Sequence, residues 1–145
     1  MAEPEFRKKC IECFLCAEVC PPKAIRFFPT GGLVGNTPYI VAKERACILC
    51  MKCTAVCPTE ALTPMTEEQM GEVRMGKAVL DKRTCITHLG IGKCEACYTI
   101  CPLKEDAIVQ LALLKPEVIE QGCVGCGLCE EVCPVETKAI WVEPA

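Results

Sequence analysis

Apolar residues in this chain come in short runs that recur at the same place in a repeated unit. Four runs leave a Cys-Pro pair within a few residues: Ala24-Ile25-Arg26-Phe27, Ala61-Leu62-Thr63, Ala107-Ile108-Val109-Gln110-Leu111 and Ala139-Ile140-Trp141-Val142. Three more approach the next unit: Tyr39-Ile40-Val41-Ala42, Lys77-Ala78-Val79-Leu80 and Pro116-Glu117-Val118-Ile119. Short alternating or β-branched runs of this kind predict strands. Between approach and exit lies a tight loop with one helical turn, stopped by the proline. The fold class predicted is α+β: short antiparallel strands, single helical turns and many loops. Thr66–Met75 is polar and glutamate-rich and predicts at most a short surface helix or a solvated connector. Thr30–Pro38 is turn-rich but lacks the Gly-Lys-Ser/Thr ending of a phosphate loop.

The loops carry the chemistry. Sixteen cysteines form four groups of four, each ending in Cys-Pro: Cys10, Cys13, Cys16, Cys20; Cys47, Cys50, Cys53, Cys57; Cys85, Cys94, Cys97, Cys101; and Cys123, Cys126, Cys129, Cys133. Three read C-x2-C-x2-C-x3-C-P, and the third opens its first gap to residues 86–93. Three cysteines two residues apart can point their thiolates inward around one metal cube. The x3 step spans about one helical turn, and in the two-cluster ferredoxins that this pattern resembles the last cysteine ligates the other cluster. This resembles the ligand pattern of bacterial ferredoxins, and it implies four 4Fe-4S clusters with all sixteen cysteines as ligands. Structural zinc takes paired C-x2-C units, which these triplets are not. A disulfide framework needs an oxidising compartment, and no export signal is visible. The spacers, residues 21–46, 58–84 and 102–122, contain no clear interdomain linker. A single four-cluster domain over 1–145 is expected, with ferredoxin-like repeats near 10–20, 47–57, 85–101 and 123–133.

Composition changes meaning once clusters are present. The hydrophobic fraction of 51% falls to about 40% without the cysteines, thin for a core of this size. With one Trp, two Tyr and four Phe, the clusters are expected to replace much of the core, and the metal-free chain to be largely unfolded. The formal charge of −3 becomes about −11 when each oxidised cluster with its thiolates adds about −2. Such a chain has no electrostatic reason to bind nucleic acid or an anionic membrane, and good reason to dock on basic protein patches. Met1–Lys9 is too short and charged for a signal peptide, and no stretch is a membrane span. A cytoplasmic location is expected.

The four loops differ. The second loop residue is Ile11, Ile48 and Val124 in three groups and Glu95 in the third. Gly125 and Gly127 suit positive φ in the fourth loop. Basic residues precede three first ligands: Arg7-Lys8-Lys9, Lys43 with Arg45, and Lys82-Arg83. Different potentials are expected, the third site being the most polar, against the alternative that these charges are merely solvated. His88 reads as a surface-loop residue and Tyr39 and Trp141 as packing residues on strands. No nucleophile stands with a base, so no catalytic site is expected.

Over nearly its whole length the chain resembles the four-cluster ferredoxin-type proteins associated with periplasmic nitrate reductase and methylamine utilisation. The resemblance rests on Thr37-Pro38-Tyr39-Ile40-Val41-Ala42, Met75-Gly76-Lys77-Ala78-Val79-Leu80, the stretched third group with Gly90 and Gly92, and Cys126-Gly127-Leu128-Cys129-Glu130. The nitrate-reductase protein carries a twin-arginine signal, which is not seen here. A cytoplasmic relative fits better: the chain looks like the polyferredoxin subunit of tungsten-dependent aldehyde oxidoreductases. That likeness implies a tungsten- or molybdenum-pterin catalytic subunit, a further redox partner and a hetero-oligomer. Many four-cluster subunits of molybdenum enzymes pair group one with four and two with three. The resemblance favours that nested pairing, while the spacers allow one with two and three with four equally. The function expected is electron transfer as a non-catalytic subunit; the alternatives are a diffusible carrier and a cluster-stabilised scaffold.

Overall fold

Three separate antiparallel strand pairs and six short helices carry the loops in the computed structural model, which describes residues 3–27 and 37–145. The helices are α1 (Glu3–Lys9), α2 (Leu15–Glu18), α3 (Lys52–Ala55), α4 (Ile86–Leu89), α5 (Ala96–Ile100) and α6 (Leu128–Val132). The strands are β1 (Ile25–Phe27), β2 (Pro38–Ile40), β3 (Gly76–Leu80), β4 (Ile108–Leu111), β5 (Lys115–Val118) and β6 (Ile140–Pro144). The α+β class is as expected from the apolar runs. Most of the Thr30–Pro38 loop lies outside the described residues.

The pairing of strands sets the pairing of groups. Strand β1 leaves group one and pairs with β2, which approaches group two, with Arg26 opposite Tyr39. Strand β4 leaves group three and pairs with β5, which approaches group four. Strand β3, before group three, pairs with β6, after group four, with Val79 opposite Trp141. Groups three and four thus share a closed unit, and groups one and two share another. The nested arrangement favoured by resemblance is corrected: the ladders join one with two and three with four.

Ala61-Leu62-Thr63 is also corrected, because it is not a strand. In the other unit its counterpart β6 pairs with the segment before the first cysteine. Here that segment is helix α1, so no ladder is on offer. The Leu62 N–H instead donates to Cys57 Sγ at 3.4 Å. The strand expected over Tyr39–Ala42 stops at Ile40, because the Val41 carbonyl accepts the N–H of both Glu44 and Arg45 in a turn. The glutamate-rich stretch forms a 3-10 helix over Glu67–Glu72, started by a capping box between Thr66 and Gln69.

Alanine and cysteine dominate the interior. Ala24, Ala61, Ala107 and Ala139 open the four exits, and all are buried. Leu49 is the largest fully buried side chain among the described residues. One cluster of buried side chains gathers Ala78, Cys85, Ile108, Cys133, Ala139 and Ile140 within the second unit. A second gathers Leu49, Met51 and Val124, and joins the loop of group two to that of group four. An interior this poor in large side chains is what a fold built around bulky cofactors leaves behind.

Candidate iron–sulfur sites

The regular loops repeat one backbone device. The residue before the second cysteine and the residue after it both take positive φ: Glu12 (56°) and Phe14 (64°), Leu49 (58°) and Met51 (52°), Gly125 (73°) and Gly127 (85°). These left-handed residues wind each loop back on itself on either side of its second cysteine. A further left-handed residue follows each Cys-Pro, at Lys23, Glu60, Glu105 and Lys138, and turns the chain toward the buried alanine. The third loop differs. Its long gap holds α4, closed by Gly90 at φ 71°, whose N–H donates to the Thr87 carbonyl.

Four sets of thiols result, each taking its last member from the partner group. Cys10, Cys13, Cys16 and Cys57 line one apolar cavity with Phe6, Phe14 and Phe27. In the second set Cys47 and Cys53 both feel the charge of Cys50 and Cys20. In the third, Cys97 feels Cys94 and Cys85, and Cys85 shares a buried cluster with Cys133. In the fourth, Cys129 feels Cys126, Cys123 and Cys101, and Cys97 of the neighbouring set. Cys101, Cys123, Cys126 and Cys129 line a cavity of about 430 Å³ that includes its open mouth.

Burial, joined by repulsion from neighbouring cysteines, pushes up Cys16, Cys47, Cys53, Cys97, Cys101, Cys126 and Cys129. Cys16 stands at about 11, where burial outweighs the Ala17 N–H that opposes it. Cys53 and Cys97 reach about 11 through burial and neighbouring cysteines. Cys129 is raised furthest, by burial and then by Cys126 and Cys123. Cys57 runs the other way: the Leu62 N–H and the Thr59 hydroxyl outweigh its slight burial and lower it.

The donor chemistry fits 4Fe-4S clusters. Every set offers four soft thiols, all sixteen of which are free. Backbone N–H groups already point at sulfur: Leu49 at Cys47, Ala78 at Cys123 and Ala139 at Cys133, at 3.3–3.4 Å. The Thr87 hydroxyl lies 3.3 Å from Cys85 Sγ. Such donors stabilise the negative charge of a bound cluster. Among the described residues no three His, Cys, Asp or Glu side chains converge as a single metal ion would need.

Other expected residues fall in place unevenly. Glu95 is exposed, as are Arg45, Lys82 and Arg83. These three bases pair with carboxylates, Arg45 with Glu131 at 3.8 Å, Arg83 with Asp81 at 3.0 Å, and Lys82 with Glu117. His88 is not on a surface loop: it is half-buried on α4, and its Nε2 lies 3.0 Å from the Pro116 carbonyl of β5. Tyr39 and Trp141 are half-buried on strands, as expected. Sequence reasoning missed Glu131, whose Oε2 accepts the N–H of Ala46 at 2.8 Å across the two units. It stands among surface-like glutamates, and no local signal marks it.

Paired dicluster units, each holding two sets of four thiols, define an iron–sulfur electron-transfer protein of the ferredoxin type. Comparison with known proteins agrees. A 4Fe-4S dicluster domain model matches residues 9–61 and 46–105, and a second matches residues 78–141. The 46–105 match crosses groups two and three, which the repeat allows, although the ladders join two with one. The ferredoxin-type protein NapG of Escherichia coli is 35% identical over 155 residues, covering 98% of this chain and 67% of that protein. The methylamine utilization ferredoxin-type protein MauM of Methylobacillus flagellatus is 34% identical, covering 99% of this chain and 65% of that protein. The chain belongs to this ferredoxin-type 4Fe-4S family and carries four clusters.

Proposed function

We propose that this chain is the electron-transfer subunit of a cytoplasmic oxidoreductase complex, linking a catalytic subunit of tungsten- or molybdenum-pterin class to a further redox partner. Each 4Fe-4S cluster, when bound, takes up and returns one electron. In this reading the ligand sets are Cys10, Cys13, Cys16 with Cys57; Cys47, Cys50, Cys53 with Cys20; Cys85, Cys94, Cys97 with Cys133; and Cys123, Cys126, Cys129 with Cys101, which the cavities and buried clusters support. The shared core of Leu49, Met51 and Val124 supports one domain over 1–145 rather than two independent ones.

The observation that carries the subunit reading is apolar exposure at the outer loops. Ile11, Phe14 and Leu15 around the first set are 61, 45 and 43% exposed, and Leu89 and Ile91 in the third group's gap are exposed too. Large apolar side chains clustered beside a cofactor mark a surface that a partner covers, whereas a diffusible carrier is better served by a polar one. The pterin-metal class of partner rests on analogy with four-cluster subunits of tungsten and molybdenum enzymes, and no residue of this chain encodes it. No helix among the described residues is long and apolar enough to cross a membrane.

Anaerobic affinity purification from the native host tests this. A stoichiometric complex containing tungsten or molybdenum and about sixteen iron atoms per copy of this chain is expected. A monomeric pool with the same iron content would point to a diffusible carrier instead. A visible band that dithionite fails to bleach would point to a scaffold.

A further inference from the structure

The four thiol sets do not stand in sequence order. The loops of sets two and four meet directly. The Cys47 N–H donates to the Cys126 carbonyl at 3.0 Å. Leu49 and Met51 pack on Val124. A Cβ on Gly127 would stand 2.3 Å from the Cβ of Ala42, so the fourth loop leaves no room for a side chain there. Among the described residues, the hydrogen bonds seen between the two units, Ala46 to Glu131 and Cys47 to Cys126, both lie at sets two and four. The spatial order is therefore one, two, four, three.

One charged side chain bridges this junction. Glu131 belongs to α6, beside the fourth set, but its carboxylate faces the other unit. Its Oε2 accepts the N–H of Ala46 at 2.8 Å, immediately before Cys47. Ala46 is fully buried, so this N–H has no water to fall back on. Its neighbour Glu130 is a built-in contrast: it accepts the Val142 N–H at 2.8 Å within its own unit.

We propose that Glu131 is a positioning residue that fixes the second thiol set against the fourth, making the junction between the units the link between the inner pair of clusters. This rests on the reading that the cysteines hold four clusters. Removing the carboxylate orphans a buried N–H beside Cys47 and loosens the loop that carries the second set. The Arg45 pair at 3.8 Å, half exposed, contributes little. Glutamine, which keeps an acceptor oxygen, should therefore replace Glu131 well.

The test compares Glu131→Ala, Glu131→Gln and Glu130→Ala in the anaerobically purified, cluster-loaded protein. Iron and sulfide analysis comes first: about sixteen irons in the wild type upholds the cluster reading, and about eight overturns that reading rather than this one. In proteins that pass, hydrogen exchange by mass spectrometry over residues 42–49 should rise several-fold in Glu131→Ala alone. The spin–spin broadening in the EPR spectrum of the fully reduced protein should weaken in the same variant. Glu131→Gln should match the wild type in both readouts, and Glu130→Ala should leave residues 42–49 protected. Unchanged exchange and spectrum in Glu131→Ala, or equal effects of Glu130→Ala, would overturn the proposal. Should Glu131→Ala fail to load, a Glu131→Gln protein with wild-type exchange and spectrum supports it, and one that fails likewise overturns it.

Discussion

Replacing Gly127 with alanine separates two explanations for the glycines of the fourth loop. Positive φ is one, since left-handed backbone costs an ordinary residue about 1–2 kcal/mol. Yet Phe14 and Met51 hold the equivalent position in loops one and two at φ 64° and 52°. Backbone conformation alone does not demand glycine there. Close approach is the other: the new Cβ would stand 2.3 Å from the Cβ of Ala42, where carbon atoms normally meet at about 3.5–4.0 Å. Overpacking of this kind costs about 1–3 kcal/mol, on top of the backbone term. Gly127→Ala should therefore destabilise by about 2–5 kcal/mol. Ala42→Gly removes the atom that is struck, so the double variant should recover about 1–3 kcal/mol as a coupling energy. Cluster loss is irreversible, so the assay is the rate of visible bleaching in anaerobic guanidinium, where about 1.4 kcal/mol is tenfold. Gly127→Ala should bleach at least about tenfold faster, and the double variant should bleach more slowly than Gly127→Ala. Strict additivity, or wild-type bleaching by Gly127→Ala, would refute the close-approach reasoning.

Three further outcomes are expected. After anaerobic iron removal, iodoacetamide at pH 9 should label all sixteen cysteines at similar rates, because the metal-free chain unfolds. A chain that kept its fold would hold Cys16, Cys53 and Cys97 at about 11, reacting about fifty-fold more slowly there, since only the thiolate attacks. The folded thiols are raised above 9.0, so a folded metal-free chain would also lose stability as pH rises from 9.0 toward 11. His88→Ala should cost about 1 kcal/mol in thermal or guanidinium stability by orphaning the Pro116 carbonyl, with no change in any EPR signal; a changed signal would make His88 part of a cluster site. Thr87→Val removes the hydroxyl 3.3 Å from Cys85 Sγ and should lower the midpoint of one cluster alone in an EPR-monitored redox titration; unchanged midpoints would show the contact to be idle.

The repeat was legible because each unit must solve the same local problem. Cysteine spacing, the Cys-Pro stop and the alanine that opens each exit all survive as loop, turn and buried contact. Strands β1, β3, β4, β5 and β6 follow the apolar runs closely. Group pairing was not legible, because spacers of similar length permit either arrangement and only the ladders decide. One clue lay in the sequence: the charged segment Glu3–Lys9 cannot act as β3 does, so the exit at Ala61 has no partner strand. His88 and Glu131 failed for a different reason. Each uses a polar side chain to satisfy a backbone group of a distant element, and nothing within a few residues of either announces that partner.

The differences among the loops follow their place in the row. Four copies of one unit cannot all keep the same surface once the units pack. The first loop, at one end, keeps Phe14 exposed at the position after its second cysteine. The second loop, facing the junction, carries Leu49 and Met51 at its two left-handed positions, and both are buried. The fourth loop, facing it from the other side, has glycine at both positions: a Cβ on Gly127 would strike Ala42 of the other unit, and one on Gly125 would strike Gly76 of β3 in its own unit. Large side chains on one face and none on the other are what lets two such loops interlock. The third loop, at the far end, is released from that constraint and accommodates the insertion that forms α4. At the positions flanking the second cysteine the loops thus differ as packing requires: Leu49 and Met51 fill the junction, Gly127 leaves room for Ala42, and Phe14 stays exposed.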